Sequence, residues 1–174
     1  MKLIQNRVKI VSVYFSPGPT ERMSIDTVVL AVGTEGEAQT AQLAKEAIAV
    51  ADPANAGVVL VHVFDDSEFG RIRAKLGVDE RSEGSTPDAV AERHTTTRAL
   101  GDALSDAGVR YSVRGAVGDL ADEVTETATD VGADRVVVGG RRRSPTGKAV
   151  FGSVAQEVML SAPCPVTFVR DIAA

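Results

Sequence analysis

The chain has 174 residues, 44% of them hydrophobic and 25% charged, which fits one compact domain with a substantial core. Its formal net charge of −5 argues against general binding to DNA or RNA, for which a basic surface is typical. No apolar run approaches the roughly 20 residues of a membrane helix, and the N-terminus lacks the pattern of a signal peptide. We therefore expect a cytoplasmic protein that contacts neither nucleic acid nor membrane.

Residues 1–23 differ from the rest of the chain. Four basic residues stand against one acidic residue in the first 22 positions, and the SPGPT cluster at residues 16–20 breaks regular structure. This segment is a peripheral strand, a disordered tail or the product of an over-long gene model, and we favour a peripheral or disordered extension. The main domain then comprises residues 24–174.

The first half of this domain alternates strands and a helix. Residues 26–32 and 57–64 are continuous apolar runs, typical of strands that are covered on both faces. Residues 36–51 between them have helical periodicity. His62 lies inside the second strand and is interpreted as a core residue, because no second histidine is placed to assist it. Residues 65–85 are polar and are predicted to form a long irregular loop.

The second half continues the same alternation. Thr86 and Pro87 are typical of a helix start, and this helix, which contains His94, is predicted to run to about residue 107. Residues 109–117 form a strand whose alternation indicates a sheet edge. A further helix at 120–131, a buried strand ending at residues 139–140, a helix after residue 152 and a last strand at 163–170 follow. Cys164 in this last segment is expected to be a buried, inert thiol.

Helices of this length between strands require the strands to return in parallel by right-handed crossovers. The predicted fold is a three-layer, doubly wound α/β fold with five parallel strands in the order 3-2-1-4-5 and helices on both faces. Ligands in such sheets bind beyond the carboxyl ends of the strands, where the winding reverses. The loops at residues 33–36 and 139–151 are expected to meet there.

Residues 136–153, with the sequence VVVGGRRRSPTGKAVFGS, have features of a phosphate-binding loop. A buried strand ends in two glycines, a basic segment follows, and Gly152 and Ser153 begin a helix whose free N–H groups favour an anion. A Walker loop is excluded, because Arg142 stands at its first glycine and Ala149 at its Ser or Thr. The residues after the first strand also lack the glycine spacing of a dinucleotide-binding loop.

The spacing in this segment resembles the motif of the universal stress protein family, which is glycine, two residues, glycine, nine residues, glycine, then serine or threonine. Gly139, Gly152 and Ser153 match it, whereas Arg142 stands at the second glycine. The segment GDLADEV at residues 118–124 and the PCPV near the C-terminus are also similar to the family. The resemblance, to a domain of the UspA type, covers residues 24–170 and implies a small stress-response regulator that is not an enzyme.

The resemblance also implies a site for ATP or another adenine nucleotide, with Mg²⁺ possible beside the phosphates. Adenine would lie against backbone near His62, and the strand-one position that often holds an aspartate in the family is Gly33. Arg142 either contacts phosphate through its guanidinium or fills the site by packing across the loop. The nucleotide-binding residues implied are Gly33, Val63, Val138, Gly139, Arg142, Gly152, Ser153 and Val154.

Two other functions remain open. The first is a nucleotide-independent regulatory homodimer paired through the last strand, with Val166, Phe168 and Val169 at the interface. The second is weak nucleotide hydrolysis, for which no catalytic residues can be named. Asp66 is a candidate metal ligand in the acidic run after the second strand, although such runs are usually only solvated.

Overall fold

The computed structural model describes residues 24–33, 37–77, 83–140 and 152–170, which form five strands and six α-helices. The predicted N-terminal extension and most of the basic loop, including Arg142, lie outside these residues. None of the helices in the described ranges is long and apolar enough to cross a bilayer. The elements are β1 (Thr27–Val32), α1 (Glu37–Ala51), β2 (Gly57–Phe64), α2 (Asp66–Leu76), α3 (Pro87–Arg93), α4 (Thr95–Asp106), β3 (Tyr111–Val117), α5 (Leu120–Asp130), β4 (Arg135–Gly140), α6 (Ser153–Ser161) and β5 (Val166–Arg170), with a short 3₁₀ turn at Glu83–Ser85.

The strands form one parallel sheet in the order β3-β2-β1-β4-β5, which confirms the predicted doubly wound fold. The chain winds outward from β1 to β3 and then returns to add β4 and β5 on the other side of β1. The winding therefore reverses between β1 and β4. This is the position at which open α/β sheets bind ligands.

The core has two layers, one on each face of the sheet. One layer packs β1 and β2 against α1 and α4, and the other packs them and β4 against α5 and α6. Successive side chains of a strand point to opposite faces, so the central strands are apolar at nearly every position. β3 lies at an edge and is partly exposed, as its alternating sequence predicts.

The prediction of an irregular loop at residues 65–85 is wrong for residues 66–76, which form α2. Asp65 caps this helix by accepting a hydrogen bond from the backbone N–H of Glu68 at 2.7 Å, and Gly77 ends it in the left-handed conformation. No residue of α2 is fully buried. Its apolar stripe is short, because only Phe69 and Ile72 are partly buried against Phe64, Val90 and Ala91 in a mostly polar segment.

The single long helix predicted from Pro87 is also wrong, because the chain leaves the helical conformation at His94. The backbone of His94 is extended, with φ −68° and ψ 136°, and it separates α3 from α4. No proline or glycine stands at this break. A search for helix-breaking residues would consequently miss it.

Candidate functional site

The crevice where the winding reverses lies between β1 and β4. The paired register of these strands ends at Leu30 and Val137, and Gly33 and Gly140 each lie three residues beyond that pair. The chain continues from β1 into α1 and from β4 into α6, so both helices begin at the carboxyl edge of the sheet. Unpaired N–H groups and partial positive charge at helix N-termini make such an edge suitable for an anion.

The two glycines at the end of β4 lie close to neighbouring side chains. A Cβ on Gly139 would lie 3.0 Å from Nε2 of Gln39 and 3.3 Å from the side chain of Leu43. A Cβ on Gly140 would lie 2.5 Å from the ring of Phe168. Both glycines belong to the strand itself, and neither has a positive φ. The glycines therefore allow neighbouring side chains to approach the strand closely.

Gln39 is a residue of this crevice that the sequence analysis missed. It lies in the first turn of α1 and is only 4% exposed, and its Nε2 has no hydrogen-bond partner among the described residues. A buried amide without a partner costs on the order of 1–3 kcal/mol. The only signal in the sequence is a polar residue on the apolar face of a helix, next to the glycine loop of residues 33–36.

Three of the proposed nucleotide contacts belong to the same core layer. Val138 is buried in the layer under α5 and α6, and Val63 and Val154 pack against that layer. Gly152 is the exposed N-cap of α6, and Ser153 is the exposed first residue of that helix. Gly33 is half-buried after β1. Arg142 and residues 34–36 lie outside the described residues.

A second cluster of polar side chains lies on the face of β2 that packs against α4, whereas Val63 points to the other face. His62 is 1% exposed, and its ring centroid is 4.2 Å from that of His94. Nitrogen or oxygen atoms of His62, His94 and Glu68 all lie within 4.8 Å of one another. The expectation that no second histidine assists His62 is therefore wrong, because the break between α3 and α4 places His94 beside it.

The two histidines are kept neutral by their surroundings. Burial, with a smaller contribution from the nearby His94, lowers the pKa of His62 to about 3. Burial also lowers the pKa of His94, and the Glu68 carboxylate partly opposes this shift. Neutral imidazoles carry a free nitrogen lone pair, so both rings can act as ligands at neutral pH.

The acidic residues after β2 have different positions. Asp65 caps α2, and hydrogen bonds from the Ser67 hydroxyl and the Glu68 N–H lower the pKa of its carboxyl group. Asp66 is exposed at the start of the helix, whereas Glu68 is half-buried beside the histidines. Glu68, rather than Asp66, therefore has the surroundings of a ligand.

The last strand contributes to both core layers. Val166 and Phe168 are half-buried against the layer under α5 and α6, whereas Val169 is 3% exposed and belongs to the layer under α1. Cys164, just before the strand, is half-buried, and burial together with Asp134 raises its pKa to about 11. The thiol is therefore protonated and unreactive at neutral pH.

Comparison with known proteins agrees with this architecture. Residues 25–170 match the model of the family described as the universal stress protein family. A universal stress protein of Mycolicibacterium smegmatis is 32% identical over 126 residues, which cover 64% of this chain and 97% of the relative.

Two solved structures have a similar fold and contain a nucleotide. A universal stress protein in complex with cAMP is similar over 84% of this chain and 98% of its own, with 23% identity and a TM-score of 0.58. A universal stress protein from Archaeoglobus fulgidus in complex with dAMP is similar over the same shares of the two chains, with 21% identity and a TM-score of 0.57. At these identities the likeness is one of fold.

Proposed function

Because this chain belongs to the universal stress protein family, we propose that it is a regulator that binds an adenine nucleotide in the crevice between β1 and β4. The observation that supports this proposal most directly is Nε2 of the Gln39 amide, which is buried beside Gly139 without a hydrogen-bond partner among the described residues. A bound nucleotide would offer the acceptor that this amide lacks. The cAMP and dAMP complexes of similar proteins favour an adenine compound as the ligand.

The crevice has a polar part and an apolar part. The N-termini of α1 and α6 favour the phosphates, and Ser153 adds a hydroxyl at the start of α6. The adenine ring would lie against Val63 and Val138, whose backbone N–H and C=O groups can form hydrogen bonds to it. Mg²⁺ would enter with ATP as a phosphate-bound ion. The full set of proposed contacts is Gly33, Val63, Val138, Gly139, Arg142, Gly152, Ser153 and Val154, to which the structure adds Gln39.

Titration calorimetry with ATP and with AMP tests this proposal. The Gln39→Met variant removes the amide while keeping the length of the side chain, and we expect nucleotide affinity to fall by roughly 3- to 10-fold. The free energy of unfolding should stay constant or rise, because a buried unpaired amide is lost. Gln42→Met, one turn further along α1, is the matched control and should bind as the wild type does. Absence of heat and of a thermal shift at millimolar nucleotide would overturn the proposal.

Arg142 is proposed to take over phosphate binding from the family's second glycine. Its guanidinium can make two parallel hydrogen bonds to phosphate oxygens. The Arg142→Gly variant restores the family pattern, and we expect it to bind ATP more weakly than the wild type. A rise in affinity would show that the arginine fills the site instead.

A homodimer paired through β5 is a second proposal, compatible with the first. β3 and β5 are the two edge strands, and the edge of β3 is covered by α3, where the Asp88 carboxylate accepts a hydrogen bond from the Gly115 N–H at 2.7 Å. Covered edges do not pair with other chains. This difference favours pairing through β5, with Val166, Phe168 and Val169 contributing to the interface.

Sedimentation velocity over a range of concentrations tests this dimer. We expect Phe168→Lys to yield monomers, because it places a charge on the edge strand. Tyr111→Lys makes the same change on the other edge strand and should leave the dimer intact. An unchanged sedimentation coefficient for a folded Phe168→Lys protein would contradict the proposed interface.

A further inference from the structure

The cluster of His62, His94 and Glu68 lies outside the crevice, on the face of β2 that packs against α4, and β1 separates β2 from β4. Three separate segments bring these side chains together, since His62 lies in β2, Glu68 in the first turns of α2 and His94 at the break between α3 and α4. The whole sequence contains only two histidines, and they meet here with ring centroids 4.2 Å apart. Neither ring has a role in the proposed nucleotide site.

Each ring has a buried nitrogen without a partner in the described part of the chain. Nε2 of His62 and Nδ1 of His94 are buried and have no hydrogen-bond partner among the described residues. Buried imidazole nitrogens are normally satisfied, so two orphaned nitrogens in adjacent rings require an explanation. A metal ion between them would use both lone pairs at once.

The other nitrogen of His62 is held in the arrangement found around metal-binding histidines. Its Nδ1 lies 3.1 Å from the Thr97 hydroxyl oxygen in a buried contact. When Nδ1–H donates to this oxygen, the lone pair remains on Nε2, which is the buried nitrogen without a partner among the described residues. Ligating histidines almost always donate their second N–H in this manner, which fixes the tautomer and the ring orientation.

We propose that His62, His94 and Glu68 bind a divalent transition-metal ion of the Zn²⁺ class. Two imidazoles and one carboxylate match the ligands that zinc prefers, whereas Mg²⁺ and Ca²⁺ select oxygen ligands. The three ligand groups already lie within 4.8 Å, and donors around one tetrahedral zinc ion are roughly 3.4 Å apart. A small adjustment of the side chains therefore suffices, and a fourth position stays open to water or a ligand.

The surroundings of the cluster support binding of a cation. The Phe64 ring packs against His62 with centroids 4.3 Å apart, so one side of the cluster is apolar. A low local dielectric strengthens the attraction between Glu68 and the ion. The bound ion would link α2, which has no fully buried residue, to the sheet and to the junction of α3 and α4.

Titration of untagged, chelator-treated protein with ZnCl₂, in the absence of nucleotide, tests the proposal. Calorimetry and native mass spectrometry should give one zinc ion per chain. The side-chain nitrogen resonances of both histidines should shift together, and these resonances are unambiguous because the sequence has no other histidine. MgCl₂ at the same concentration should leave them unshifted.

Amino-acid substitutions distinguish zinc bound at this cluster from zinc bound elsewhere on the protein. We expect His94→Gln and Glu68→Gln to lower zinc affinity by roughly 100-fold and Thr97→Val by roughly 10-fold. Glu92→Gln on α3 and Cys164→Ser are the controls and should bind zinc as the wild type does. Glu68 is half-exposed, so its variant remains informative if a histidine variant fails to fold.

Three results would overturn the proposal. The first is zinc binding that leaves the imidazole resonances unshifted, and the second is unchanged affinity in folded Glu68→Gln and His94→Gln. The third is loss of zinc binding in Cys164→Ser. Since no nucleotide is present in these titrations, their outcome is independent of the proposal for the crevice.

Discussion

The crevice between β1 and β4 and the histidine cluster beside β2 are two polar regions built in different ways. The crevice consists of glycines, strand ends and helix N-termini, so its chemistry comes mainly from the backbone. The cluster consists of three side chains from three segments, and it depends on a helix break. A backbone site is encoded by local spacing, whereas a side-chain site depends on how distant segments pack.

The largest expected difference between the regions is their response to acid. The pKa of His62 is lowered to about 3, so the unfolded chain binds a proton below about pH 6.5 that the folded, metal-free protein does not bind. The contribution of His62 to the free energy of unfolding is therefore fully present above pH 6.5 and is lost as the pH falls toward 3. Between pH 7 and 4 we expect a loss of roughly 3 kcal/mol from this residue.

Urea unfolding of the metal-free protein at pH 7 and pH 4 measures this loss. The His62→Leu variant serves as the reference, because it retains the carboxylates and lacks the buried imidazole. Its stability should fall less than that of the wild type over this interval. Equal losses in the two proteins would show that the buried histidine does not dominate the acid response.

Gly115→Ala should damage the cluster and leave the crevice intact. A Cβ at Gly115 would lie 2.0 Å from the backbone oxygen of Pro87, so β3 and α3 would have to separate. Overpacking of this kind costs about 1–3 kcal/mol. We expect lower stability in urea and weaker zinc binding, with ATP affinity unchanged.

Gly57→Ala is the control for this substitution, because the nearest atom to its Cβ would be the Arg110 backbone oxygen at 4.0 Å. It should leave stability within roughly 0.5 kcal/mol of the wild type. A fall in ATP affinity in Gly115→Ala would show that the two regions are coupled.

Gly139→Ala should damage the crevice and leave the histidine cluster intact. Its Cβ would lie 3.0 Å from the end of the Gln39 side chain, which can move aside, so we expect a stability cost of only about 1 kcal/mol. The displaced amide would no longer reach the nucleotide. Calorimetry should show ATP affinity reduced by roughly 10-fold and zinc affinity unchanged. Equal ATP binding by variant and wild type would remove Gln39 and Gly139 from the proposed site.

The smallest effect is expected from Gly70→Ala in α2. Apart from its own helix backbone and chain neighbours, no heavy atom of the described residues lies within 4 Å of its Cβ position, and alanine favours the helical conformation by about 0.5–1 kcal/mol over glycine. Thermal unfolding should show a slight increase in stability. A decrease in thermal stability would contradict a helix at residues 66–76 in which Gly70 faces open space.

Several features could be predicted from the sequence because they depend on local patterns. The buried strands are continuous apolar runs, and the helix starts at Thr86 and Asp119 have capping side chains that accept backbone hydrogen bonds. The strand order follows from the alternation of elements and the family resemblance. α2 was missed because the segment after its capping residue Asp65 is mostly polar and has only a short apolar stripe, Phe69 and Ile72.

The sequence by itself determined the three-layer α/β fold, the edge position of β3 and the crevice with its glycines. These depend on periodicity, on right-handed crossovers and on spacing, which are properties of consecutive residues. Only the tertiary structure decided that Nε2 of Gln39 lies beside Gly139 without a partner among the described residues and that His94 leaves its helix to meet His62. Contacts between residues far apart in the chain depend on the packing of whole elements, and no local pattern specifies them.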